Sequence, residues 1–276
     1  MTDGADGADA QRPDAGLVAF TAAAGRWIDL VFREAMRAAG TRGGAALRER
    51  HGSGYGNVLI EYRTTLAWPI GVVTARGIAE TSRYRDPATV DAELAAAVER
   101  GSIARDADGS VHATAGGHVF LDDLYATQEA ALAAHWDGRD PVVFRLAAAT
   151  STLLDAAIAR PVMPDGAFAA MTPNWEPPGI GPSVLLLNRL SAMRYHRSDA
   201  HATAWRAAGL TATDMVALQE SATHSATTDE SVRARRDAIE ARTNEISAAA
   251  FDAVDPADRA GFVRDLQSLS AGATAT

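Results

Sequence analysis

The fold turns on residues 83–136, RYRDPATVDAELAAAVERGSIARDADGSVHATAGGHVFLDDLYATQEAALAAHW. Asp86 offers the side-chain oxygen of an N-cap, and Pro87 the fixed φ suited to a first helical position. Val90, Leu94, Ala97 and Val98 recur at helical spacing as a buried stripe, and Gly101 supplies a left-handed stop. Residues 102–114 alternate around Asp108-Gly109, a two-residue hairpin signal. Ala115–Trp136 then reads as a second helix. The spacing predicts helix, hairpin, helix.

Upstream, Leu17–Ala39 reads as an amphipathic helix, with Phe20, Trp27, Ile28, Val31 and Phe32 at helical spacing and GTRGG (residues 40–44) expected to stop it. HGSGYGN (residues 51–57) is rich in glycine, but a phosphate-cradling loop follows a strand, and none is predicted here; a plain turn is expected. Residues 57–79 are predicted as two short helices meeting at Trp68-Pro69. Downstream, Arg139–Arg160 is another helical pattern. Residues 161–182 are broken by prolines and glycines into a linker or surface loop, with Met163, Phe168, Met171 and Trp175 suited to covering an apolar groove. Further helices are predicted over Ser183–Ala208, Ser231–Val254 and Pro256–Leu269.

Composition narrows the chemistry. The 276 residues are 47% hydrophobic, enough for a sizeable core. There is no cysteine, which excludes disulfides, thiolate catalysis and cysteine-based metal sites. All 26 basic residues are arginine, so P-loop and Schiff-base lysine chemistry is excluded too. No metal and no cofactor is expected. A net charge of −9 is unlike that of an electrostatic nucleic-acid binder, although a local basic face could exist. The start of the chain lacks the basic and apolar parts of a signal peptide, and no run was expected to approach the roughly 18 apolar residues of a membrane span. The expectation is a cytoplasmic protein without a membrane partner. Ser183 in GPSVL lacks the second glycine of a nucleophile elbow. His112 and His118 flank the second hairpin strand, and exposed positions are expected for both. Asp122-Asp123 has no metal-ligand spacing.

The order of helix, ERG, hairpin with DG at its tip, TAGG and helix resembles the winged helix-turn-helix of the MarR-like regulators over roughly Leu59–Trp136. That resemblance implies that the helix before ERG is the DNA-recognition helix and the hairpin its wing. YHRSDAHATAWRAAGLT (residues 195–211) also resembles the HRxDxHxxAxxxAGL motif of an uncharacterised actinobacterial family of two-domain helix-turn-helix-like proteins. The closing residues, IEARTNEISAAAFDAVDPADRAGFVRDLQSL, resemble MarR-like C-terminal dimerisation helices, which implies a homodimer. In the relatives a winged segment follows AGL; here residues 211–229 are polar and carry no DG hairpin. The expected fold is mainly α with one small β-hairpin wing: a disordered tail over residues 1–16, a winged helix-turn-helix unit over 17–138 and a C-terminal helical domain over 139–276.

Duplex binding has weak local support. Between Ser82 and His112 stand four arginines, Arg83, Arg85, Arg100 and Arg105, against six carboxylates, a local charge of −2. These four are the only candidates for phosphate contact there.

The remaining candidates lie in RYHRSDAHATAW (residues 194–205). On a continuous helix, Leu186, Leu190, Met193, Ala204 and Ala208 share the face expected to be buried. Arg197 and His201 project from that face with Arg194 and Trp205 at its border, while His196, Asp199 and Thr203 point away. His196 and His201 are then roughly 140° apart, too far for one metal ion. Arg197 with His201 is either a satisfied packing network or a ligand contact, and His196 with Asp199 a surface pair or an intersubunit contact. Three functions follow: a dimeric MarR-like regulator responding to a small apolar or aromatic ligand held by Arg194, Arg197, His201, Trp205 and Trp68; a ligand-binding or sequestering protein that keeps the fold without binding DNA; or an enzyme using His196/Asp199 or His201 as acid and base, for which no catalytic residue is assigned.

Overall fold

The structure is a computed structural model describing residues 13–224 and 230–270. Twelve helices run in chain order: α1 (Ala15–His51), α2 (Asn57–Glu61), α3 (Arg63–Leu66), α4 (Ala75–Thr81), α5 (Pro87–Glu99), α6 (Ala115–His135), α7 (Asp140–Ala159), α8 (Ala167–Ala170), α9 (Pro182–Ala207), α10 (Ala212–His224), α11 (Glu230–Phe251) and α12 (Arg259–Ser270). Among the described residues three short strands, β1 (Val72–Val73), β2 (Ile103–Arg105) and β3 (Val111–Ala113), form an antiparallel sheet in the order β1-β3-β2. The protein is therefore mainly helical with one small antiparallel sheet.

The local signals in residues 83–136 act as their chemistry requires. The Asp86 carboxylate accepts the Thr89 N–H at 3.0 Å to open α5, and Gly101 closes it at φ 71°. Asp108-Gly109 turns the hairpin, which pairs Ile103 with Ala113 and Ala104 with His112. Thr114 then caps α6 through the Gly117 N–H.

Elsewhere the structure corrects the sequence reading. GTRGG does not stop α1, which runs on to His51 and ends at Gly52. Gly43 serves a close helix crossing instead: a Cβ there would lie 1.8 Å from Thr127 Cγ2 of α6. Trp68-Pro69 does not join two helices, because residues 67–71 turn into β1, whose Val72 pairs with His112. Residues 1–12 of the expected tail lie outside the described residues, while Asp14 already caps α1, accepting the Gly16 N–H at 3.0 Å. Residues 212–224 form α10, and residues 225–229 lie outside the described residues. Among the described residues two helices, α1 and α7, are long and apolar enough by length and composition to cross a membrane, contrary to expectation. Alanine raises their average hydropathy without a continuous run of large apolar side chains. Each buries one face in the helical core, α1 through Phe20, Ile28 and Val31, and α7 through Leu146, Leu153 and Leu154.

Two large apolar clusters organise the molecule. One is built by α1, the C-terminal half of α6, α7, α9, α11 and α12, with Trp136 and Phe251 fully buried in it. The other packs α2–α5, the sheet and the N-terminal half of α6 around Leu59, Leu66, Leu94, Ile103 and Leu121. Burying each such side chain stabilises the fold by roughly 1.5–3 kcal/mol. The helix α1, expected in the hairpin-bearing unit, thus contributes its buried face to the helical cluster, and α6 links both clusters.

Candidate functional site

The helix α9 lies in the middle of the molecule and packs against α1, α6, α7, α8 and α11. This placement reverses one expectation. His196 and Asp199 do not point away from the protein; they are 1% and 0% exposed, whereas Arg197 and His201 are only half-buried. A helix with one dry face and one wet face would have left His196 and Asp199 outside. In fact the loop over residues 161–175, with α8, covers the second face as well. Asp199 accepts the N–H groups of Ala167 and Phe168 at 3.0 and 2.9 Å and pairs with the Arg83 guanidinium. His196 meets the Phe168 ring edge-on at 5.6 Å, and burial pushes its imidazole down to about 4. Neither side chain reaches solvent, and Asp199 is already occupied by three donors. The acid–base pair is a buried structural junction.

Arg197 and His201 border a groove of about 550 Å³ between α1, α9 and α11. Ile28, Met193 and Phe251 bring apolar surface, and Arg26, Asp29 and Arg33 of α1 face Arg194 and Arg197 of α9. Gly25 lets the helices approach, since a Cβ there would lie 3.1 Å from Arg197 Cδ. Arg197 donates to Glu240 Oε2 at 2.6 Å and to Asn244 Oδ1 at 3.0 Å. Thr243 donates its hydroxyl to the Ile239 carbonyl, which leaves its oxygen to accept from His201 Nδ1 at 3.1 Å. Burial lowers the His201 pKa, and Glu240 acts in the opposite sense. Arg194 donates to Asp29 at 2.8 Å.

Three of the five expected ligand residues, Arg194, Arg197 and His201, therefore meet in one groove. Trp205 is buried behind it and reaches it only through Tyr84, whose hydroxyl accepts the indole N–H at 2.9 Å. Trp68 is not part of the groove; its indole N–H donates to the Pro173 carbonyl at 3.2 Å and tethers the loop over α3. Tyr84, Asp29, Arg33 and Glu240 complete the groove without any local sequence signal, because they come from three segments far apart in the chain. Among the described residues no three His, Asp or Glu side chains assemble to hold a metal ion.

Three of the four candidate phosphate contacts have other occupations. Arg83 is 4% exposed at its side chain, enclosed by Glu80, Asp199 and the Ser198 carbonyl. Arg85 pairs with Glu93 at 2.5 Å and Arg105 with Asp91 at 3.3 Å, both carboxylates of α5 itself. Of the four, only Arg100 forms no ion pair with a described residue; it is exposed and lies beside Gly54. The exposed surface of α5 itself is Pro87, Ala88, Thr89, Asp91, Ala92, Ala95, Val98 and Glu99, without a cation, and the hairpin tip carries Asp106 and Asp108. His112 faces Asp106 at 3.5 Å.

No protein-family model, no curated protein and no solved structure matches this chain.

Proposed function

We propose that this chain is a winged-helix protein of the MarR-like type that works by binding a small molecule rather than by reading duplex DNA. The winged-helix assignment rests on the order α3, β1, α4, α5, β2, β3, with the sheet order β1-β3-β2 and the α4–α5 pair beside the hairpin. The observation that carries the functional half is the fate of the arginines. Arg83 is buried on Asp199, and Arg85 and Arg105 are neutralised by Glu93 and Asp91. A duplex reader needs several uncommitted cations along one face to displace phosphate counterions. The ligand site in this reading is the groove of Arg194, Arg197 and His201, which suits a molecule with an apolar body and a polar end.

Fluorescence anisotropy of the full chain with mixed-sequence duplex DNA tests this. The expected result is no saturable binding at low micromolar protein between about 50 and 200 mM salt. Tight binding that weakens steeply with salt would establish the regulator instead. That second reading is favoured by one feature, the exposed helix α5 projecting beside its hairpin. The homodimer belongs to the same proposal, and sedimentation equilibrium checks it.

A further inference from the structure

Arg63 is a buried cation without a counter-charge. It is 3% exposed, and its Nη1 donates to the Ile60 carbonyl at 3.1 Å. Its Nε and Nη2 have no hydrogen-bond partner, and no described carboxylate forms an ion pair with it. The neighbouring phenols cannot neutralise it. Burial pushes Tyr125 up to about 12, and burial with Glu61 raises Tyr195, so both stay protonated. A buried charge left in this state is costly, and native proteins rarely keep one without a use.

The orphaned atoms have a definite shape. Nε and Nη2 form one edge of the guanidinium, the edge whose parallel N–H groups match two carboxylate oxygens. The protein uses that edge twice elsewhere. Arg145 holds Asp265 through Nε and Nη2 at 2.9 and 2.8 Å, and Arg189 holds Glu176 through the same atoms at 3.0 and 2.7 Å. Arg63 has the fork and lacks the acid.

Arg63 also lines a cavity of about 420 Å³ where the two apolar clusters meet, adjoining the groove of Arg197, with which it shares Arg194 and Ser198. Phe32, Met36 and Ile60 give it apolar wall, and Ser191 and Ser198 also line it. Arg194 stands in the same wall, with Arg63 and Arg194 respectively 5.7 and 4.2 Å from the Phe32 ring centre. Glu61 is the one acid in the lining; it is exposed and accepts the Tyr195 hydroxyl at 2.9 Å. We propose that this cavity binds a small organic carboxylate, its two oxygens on Arg63 Nε and Nη2, its apolar body against Phe32, Met36 and Ile60. In the unliganded protein Nε and Nη2 are closed to solvent, so binding requires the unbranched, adaptable Met36 side chain to shift and open the fork to the cavity. The site goes beyond the groove proposed above; Arg63 lines this cavity and not the groove, and Arg197 and His201 line the groove and not this cavity, so variants at Arg63 and Arg197 tell the two apart.

The test is thermal unfolding of the full chain with hexanoate, its neutral isostere hexanamide, or inorganic phosphate. Hexanoate is expected to raise Tm by about 4 °C near saturation and the other two not to. Arg63→Met should raise the Tm of the unliganded protein, because an uncompensated charge is replaced by an apolar chain of similar volume, and should abolish the hexanoate shift. Arg194→Gln should weaken the shift, and Arg197→Gln, in the other groove, should leave it intact. Equal shifts with hexanamide or phosphate, no shift with hexanoate, or a shift surviving in Arg63→Met would each overturn the proposal.

Discussion

Lowering the pH from 7 to 4 should destabilise this protein through His196, and the size of the effect follows from its surroundings. The imidazole is sealed between α9 and the Phe168 ring, its Nδ1 has no partner, and burial alone holds its pKa near 4. In the unfolded chain it titrates near the ordinary histidine value of about 6.5. Between these values the unfolded state carries a proton that the folded state refuses, so stability falls as the pH falls. The loss begins near pH 6.5 and levels off below about pH 4, where both states are protonated; at about 1.4 kcal/mol per pH unit it reaches roughly 3 kcal/mol. Urea denaturation at half-unit steps, comparing the natural chain with His196→Phe, isolates this residue from His135 and His201, whose pKa values are also lowered by burial. The variant should match or slightly exceed the natural chain at pH 7, since it removes an unpaired buried nitrogen. It should then lose less stability on acidification. Parallel stability curves for the two proteins between pH 6.5 and 4 would refute the reasoning.

Other perturbations follow from the same packing. Asp199→Ala removes the closest counter-charge of the Arg83 guanidinium, leaving it Glu80, and strands two N–H groups of the α8 turn, and chemical denaturation should register a loss of about 3 kcal/mol. A loss below about 1 kcal/mol would mean that water takes over the junction. Gly43→Ala drives a methyl group into Thr127 Cγ2 and should cost about 1–3 kcal/mol, with Thr127→Ser recovering most of it. Gly40→Ala, on the same helix with nothing within 4 Å, should instead stabilise by about 0.5–1 kcal/mol in the same assay.

The legible part of this protein was local. Asp86, Pro87, Gly101 and Asp108-Gly109 act on their own backbone neighbours, so the helix, its end and the hairpin follow from residue type and order. The same logic failed at GTRGG and at Trp68-Pro69. Glycine at position 43 has two uses, stopping a helix or admitting a neighbour, and only the presence of α6 decides between them. In the candidate groove, Arg197 and His201 were recognisable as polar groups in need of partners, but Asn244, Glu240 and Thr243 arrive from more than forty residues away. Arg63, in IEYRTTLAW, carried one available signal: a single cation at a core position of a helical pattern.

By itself the sequence determined the helix before the hairpin, the hairpin, the helix after it and the chemistry excluded by the absence of lysine and cysteine. The tertiary structure decided which groups are charged, paired or stranded. Helical periodicity distinguishes one face from another but does not count how many faces will be covered. Once α8 and its loop lie on α9, His196 and Asp199 become interior and Arg83 is withdrawn from any phosphate, while the packing around α3 encloses Arg63 without a described acid to pair with it.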